Sequence, residues 1–120
     1  WVHPQEGLAR QYERMDCLFH PVSGEPCGTV LPEALASGVP VVVPEYGGPA
    51  DYVGEGGILV PGEPWEYGSG FCERMAKALI EVRARHNCFR KAARRTAEER
   101  LDINEAARRW LDNFKLASEC

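Results

Sequence analysis

The run Pro40-Val41-Val42-Val43-Pro44 constrains the fold of this chain more than any other stretch. Three successive β-branched residues between two prolines suit a pleated strand and not a helix. Because the run is apolar throughout and does not alternate, it reads as a central parallel strand covered on both faces. What precedes it completes a unit. Cys17-Leu18-Phe19 is a short apolar run ended by His20 and Pro21, and reads as a buried strand. The loop Val22 to Gly28 is irregular. Thr29 then stands as the N-cap of a short helix with Pro32 in its first turn, and Gly38 as the residue just past its end. Strand, loop, helix and strand within about 28 residues make a right-handed βαβ unit.

The remaining segments fit around that unit. Leu8, Tyr12 and Met15 at helical spacing predict a surface helix over Gln5 to Met15, with Trp1-Val2 as the end of a preceding strand. Ala50 to Val53 reads as a single helical turn, and Gly57-Ile58-Leu59-Val60, ended by Pro61-Gly62, as another strand. Pro64 to Gly70 is a loop whose Trp65 and Tyr67 are placed to cover the sheet edge. Phe71, Met75, Leu79 and Val82 predict a helix from Gly70 to about His86, and a second, arginine-rich helix runs from Cys88 to Arg100. Asp102 followed by Glu105 forms a capping box that opens a last helix, whose Ile103, Ala107, Trp110, Leu111 and Phe114 share one face and are expected in the core. The fold class is therefore α/β: a partial Rossmann-like parallel sheet of three to four strands with flanking helices and a helical C-terminal third. Residues 1–120 are one partial domain, 1–62 forming the βαβ part and 63–120 the loop and C-terminal helices.

The formal charge of -4 offers no clustered basic surface for nucleic acid. Five cysteines without a C-x-x-C pair suggest neither a disulfide framework nor a zinc site, so no metal is expected and a reducing compartment fits. No apolar run approaches the ~18 residues of a membrane helix and no leader pattern opens the chain, so the expectation is a cytoplasmic protein without a membrane span. A start at Trp1 suggests a piece of something longer.

In open α/β sheets ligands bind outside the carboxyl ends of the strands, beside helix N-termini. Here that edge carries His20 to Gly28, Glu45 to Asp51 and the start of the helix bearing Glu33. Amides in the first turn of the Thr29 helix suit a phosphate or another anion, and Gly28 lets a ligand approach the backbone. Glu33, about one turn in, offers acceptors to a sugar diol, and Glu25 offers them to a second set of hydroxyls. On spacing alone, two glutamates eight apart are ordinary surface carboxylates, and Gly47-Gly48 is an ordinary turn. His20 reads as a strand-end core histidine, Cys17 and Cys27 as small apolar residues.

With Asp16, Leu18-Phe19, Pro21, Glu25, Gly28, Glu33-Ala34, Ala36, Gly38, Pro40-Val41-Val42, Gly47-Gly48 and Gly57 to Gly62 in unbroken order, the sequence resembles the C-terminal, nucleotide-sugar-binding domain of retaining GT-B glycosyltransferases, the glycosyl transferases group 1 family. Only the second half of that domain is covered. The resemblance implies sugar transfer, with retention, from a UDP-, GDP- or ADP-sugar donor, without a metal or other cofactor. By position it implies that Glu25, the catalytic candidate, holds the donor sugar, that Glu33 holds the ribose, and that Cys27, Gly28, Thr29 and Val30 give amides beside Gly47 and Gly48. Val22, Cys27, Asp51 and Glu63 depart from the family's usual residues. The arginine and lysine that neutralise the diphosphate belong to an earlier segment of such domains, so the chain alone is expected to be inactive and to need a missing N-terminal half. Two alternatives stand beside this: a non-catalytic half-domain acting as a binding module or homodimer through its open strand edge and uncovered apolar face, and another doubly wound fold with a generic anion site.

Overall fold

A computed structural model of the chain describes residues 5–22, 24–62 and 68–118. The proline-bounded valines form β2 (Val41–Pro44), flanked by β1 (Leu18–Phe19) and β3 (Gly57–Val60) in a parallel sheet of order β1-β2-β3. Leu18 and Phe19 pair with Val41 and Val42, and β3 pairs along the whole of β2 from Val41–Gly57 to Pro44–Val60. Every β2 residue is buried. Strand alternation sends Val41 and Val43 to one face and Val42 to the other, so one short strand nucleates two cores. Leu31, Leu35, Val39, Val53, Ala93 and Ala97 fill the first; Val60, Phe71, Met75, Ala78 and Val82 fill the second. Each valine removed from water here contributes roughly 1.5–3 kcal/mol, which is why the sheet holds together with only three strands among the described residues.

Six helices accompany the sheet, α1 (Gln5–Glu13), α2 (Val30–Ala36), α3 (Pro49–Tyr52), α4 (Ser69–Ala84), α5 (His86–Arg100) and α6 (Ile103–Ser118), with a 3-10 turn at Gly54–Gly56, and among the described residues all but α6 add to the two cores or pack beside them. Between β1 and β2, α2 ends as expected at Gly38. Val39 N–H donates to Ala34 O at 2.8 Å and Gly38 N–H to Leu35 O at 2.9 Å, a Schellman closure that turns the chain straight into β2. Asp102 does open α6, its Oδ1 accepting from Asn104 N at 2.8 Å and Glu105 N at 3.0 Å.

Three expectations change. Thr29 occupies the N-cap position of α2 but in helical backbone geometry, and its hydroxyl caps nothing. The capping box is half formed, because Glu105 turns to Arg108 at 2.8 Å and Arg109 at 3.0 Å; those hydrogen bonds, Arg108 foremost, hold its carboxyl down to about 2. The largest change is the α6 stripe. Ile103, Trp110, Leu111 and Phe114 are all at least 60% exposed, so the face expected in the core is uncovered. The α6 period is right, but the sheet's two faces are already filled by α2 and α5 on one side and α4 on the other. The Trp1-Val2 strand and the Trp65–Tyr67 loop lie outside the described residues.

Candidate functional site

The loops leaving β1 and β2 are tied together at the carboxyl edge of the sheet. Glu25 bridges to Gly47 in parallel fashion, and Gly48 N–H donates to Glu25 O at 3.0 Å. This contact explains the glycine pair. A Cβ on Gly47 would stand 2.6 Å from Glu25 O, and one on Gly48 would collide with Pro26 O. The close approach these glycines permit is that of the chain's own Glu25-Pro26 backbone.

The Glu25 side chain then folds back over its own turn. Its Oε1 accepts from Gly28 N–H at 2.9 Å, with Cys27 N–H further off at 3.4 Å. Gly28 makes this possible with a left-handed backbone, φ +58°, which brings its amide under the carboxylate. On the other side Oε2 lies 3.7 Å from His20 Nε2, a buried nitrogen with no hydrogen-bond partner among the described residues. From α3, Tyr52 braces the same turn, its hydroxyl donating to Cys27 O at 2.5 Å. Burial, with Cys27 and Glu25 nearby, pushes the Tyr52 hydroxyl up to about 12.

Just past that turn, the amides of Thr29 and Val30 donate to no acceptor among the described residues, while Leu31 N–H already closes onto Gly28 O at 2.8 Å. Thr29 and Val30 are exposed. One turn further, Glu33 is exposed as well, with Oε2 accepting from Tyr12 Oη at 2.9 Å. Tyr12 is 5% exposed, and burial, then the bond to Glu33, pushes its hydroxyl up to about 12. Glu25, Cys27, Gly28, Gly47 and Gly48 are thus brought together in one bonded cluster. Thr29, Val30 and Glu33 continue from it along α2, and Glu33's own partner comes from α1.

Sequence reading missed three participants. Tyr12 was an apolar stripe residue, Tyr52 part of a helical turn and His20 a core histidine; a hydroxyl on an apolar stripe and a histidine at a strand's carboxyl end are the only signals that could have found them. The ion pairs of Arg85, Arg94, Arg95, Arg108 and Arg109 lie on or against α4, α5 and α6, away from this edge. Two grooves, of about 570 and 490 Å³, lie elsewhere, beside β3 and beside Cys17, and include none of these site residues. No helix among the described residues is long and apolar enough to cross a membrane.

This parallel α/β edge carries a carboxylate turned onto a glycine amide, followed by two amides without an acceptor among the described residues and by a second carboxylate held by Tyr12. The family profile described as Glycosyl transferases group 1 matches residues 1–82, and the chain belongs to that family. Among curated proteins it is similar to a GDP-mannose-dependent alpha-mannosyltransferase of Mycobacterium tuberculosis, 34% identical over 91 residues, which covers 74% of this chain and 22% of that protein. Proteins of the same description from Mycolicibacterium smegmatis and Corynebacterium glutamicum are 48% identical over 46 residues and 43% identical over 57 residues. Those matches cover 38% and 46% of this chain, and the chain spans 12% and 14% of these two relatives.

Proposed function

We propose that this chain supplies part of the donor site of a glycosyltransferase that moves a sugar, with retention, from a nucleotide diphosphate sugar. The observation that carries the reading is the Glu25–Gly28 turn. It fixes one carboxylate oxygen on an amide at 2.9 Å and presents the unbonded Thr29 and Val30 amides immediately after it. In this reading Glu25 accepts from hydroxyls of the donor sugar through its remaining lone pairs, and the diphosphate takes the Thr29 and Val30 amides. Glu33 receives the ribose diol, its rotamer set by Tyr12. Gly47 and Gly48 act through the backbone of Glu25, keeping the turn closed against β2. The similar mannosyltransferases favour GDP-mannose as the donor. No metal is assigned to this segment. Among the described residues the named arginine pairs lie on or against α4, α5 and α6, which leaves amides as the diphosphate's donors in this reading, so little transfer is expected from the chain by itself.

Calorimetric titration with GDP-mannose, GDP and UDP-glucose tests this. GDP-mannose is expected to bind, with Glu25→Gln and Glu33→Ala each weakening it about tenfold, the loss of an ordinary hydrogen bond to a charged group. Unchanged affinity in both variants would overturn the assignment.

The exposed α6 stripe favours a second reading, in which the chain is a non-catalytic module that associates through that helix. Sedimentation decides it: a monomer across the micromolar range speaks against association, and a tight dimer lost in Trp110→Lys supports it.

A further inference from the structure

One buried polar atom has no role in the donor site described above. His20 Nε2 is out of contact with water and lacks a hydrogen-bond partner among the described residues, a condition that native structures seldom leave without a reason. The ring is carried on a fixed support. His20 N–H donates to Val42 O at 3.0 Å, continuing the β1–β2 ladder, and Pro21 follows at once. Glu25 Oε2 lies 3.7 Å from this nitrogen, while Oε1 of the same carboxylate is already held by Gly28 N–H at 2.9 Å. Both side chains are only about a quarter exposed, at 21% and 26%, so water does not compete strongly for the gap between them.

We propose that His20 is the positioning residue for Glu25, its Nε2–H donating to Glu25 Oε2. A small rotation of the carboxylate closes the gap to hydrogen-bond length. The carboxylate is then gripped from two directions, by the end of a strand and by the amide of a left-handed glycine, and its plane is fixed. Only the lone pairs facing away from both donors remain for a ligand. Glu25 touches the sugar, whereas His20 acts through Glu25. The ligand part of this inference rests on the donor-site reading, but the His20–Glu25 contact does not.

The test uses the whole chain and reads two quantities. Hydrogen exchange of the Gly28 amide reports whether Glu25 is in place, with no ligand needed, and titration with GDP-mannose reports the consequence. His20→Phe keeps the ring volume without a donor, His20→Ala removes both, and His20→Gln restores an N–H at similar reach. We expect Gly28 exchange to quicken about tenfold in His20→Phe and His20→Ala, and GDP-mannose affinity to fall about tenfold, the change one hydrogen bond produces. His20→Gln is expected within about threefold of the parent on both readouts. Wild-type exchange at Gly28 in His20→Phe and His20→Ala overturns the proposal, as does His20→Gln damage equal to that of His20→Phe. Quickened exchange in a chain that binds no GDP-mannose even as wild type upholds the His20–Glu25 contact and refutes the donor site instead.

Discussion

Replacing Gly28 with alanine strikes the fold and the site at the same point. Gly28 sits at φ +58°, where an L-residue is disfavoured by about 1–2 kcal/mol. Its new Cβ would stand 2.9 Å from Glu25 Cγ and 3.1 Å from Leu31 Cδ1. Leu31 is fully buried and has little freedom to retreat, so Glu25 must move and give up its bond to the Gly28 amide. That bond involves a charged acceptor but is partly exposed, so its loss adds about 1 kcal/mol. The sum is about 2–3 kcal/mol, or roughly 10 °C in Tm for a chain of this size. Gly68→Ala is the matched control. Gly68 lies at φ -75° as the N-cap of α4, with nothing among the described residues within 4 Å of where an added methyl would stand, so its replacement should cost no more than about 1 kcal/mol, the loss of a glycine cap. Urea denaturation of both variants gives the stabilities, and GDP-mannose titration gives the site. If Gly28→Ala matches Gly68→Ala in both, the strained turn and its carboxylate have been misjudged.

Two further outcomes follow from burial. Tyr12 and Tyr52 keep their protons up to about 12 in the folded chain, while an unfolded tyrosine loses its proton near 10, so this contribution to stability is fully present below pH ~10 and fades as pH rises from there through 12. Spectroscopic titration should show two tyrosines ionising late, together with unfolding; four ordinary titrations in a folded chain would contradict it. Leu35→Ala, at a fully buried site, should lose about 2–5 kcal/mol, whereas Trp110→Ala on the open face of α6 should stay within about 0.5 kcal/mol. Comparable losses would mean that α6 packs on the domain after all.

The contrast between those last two residues marks what the sequence could and could not convey. Pro40 to Pro44 declared a buried strand because composition and punctuation both act locally, and Gly38 declared the helix end for the same reason. The α6 stripe has the same local clarity, with Trp110 and Phe114 at helical spacing, yet periodicity says only which side of a helix is apolar. Whether another element covers that side depends on how many faces the sheet has left. The site divides in a similar way. Glu25, Gly28 and Glu33 stood out through their order along the chain. Their partners, His20, Tyr12 and Tyr52, arrive from other elements, and the turn that folds Glu25 onto its own backbone depends on the sign of φ at Gly28. Neither is written in spacing.

The proposed donor site is tested most directly by following backbone amide resonances while GDP-mannose is added to the intact chain. Saturable shifts centred on the amides of Cys27, Gly28, Thr29 and Val30, extending to Glu33 and Gly47-Gly48, are the predicted result. Absence of saturable shifts, or shifts confined to the groove of Ile58, Arg85 and Phe89 beside β3, would contradict it.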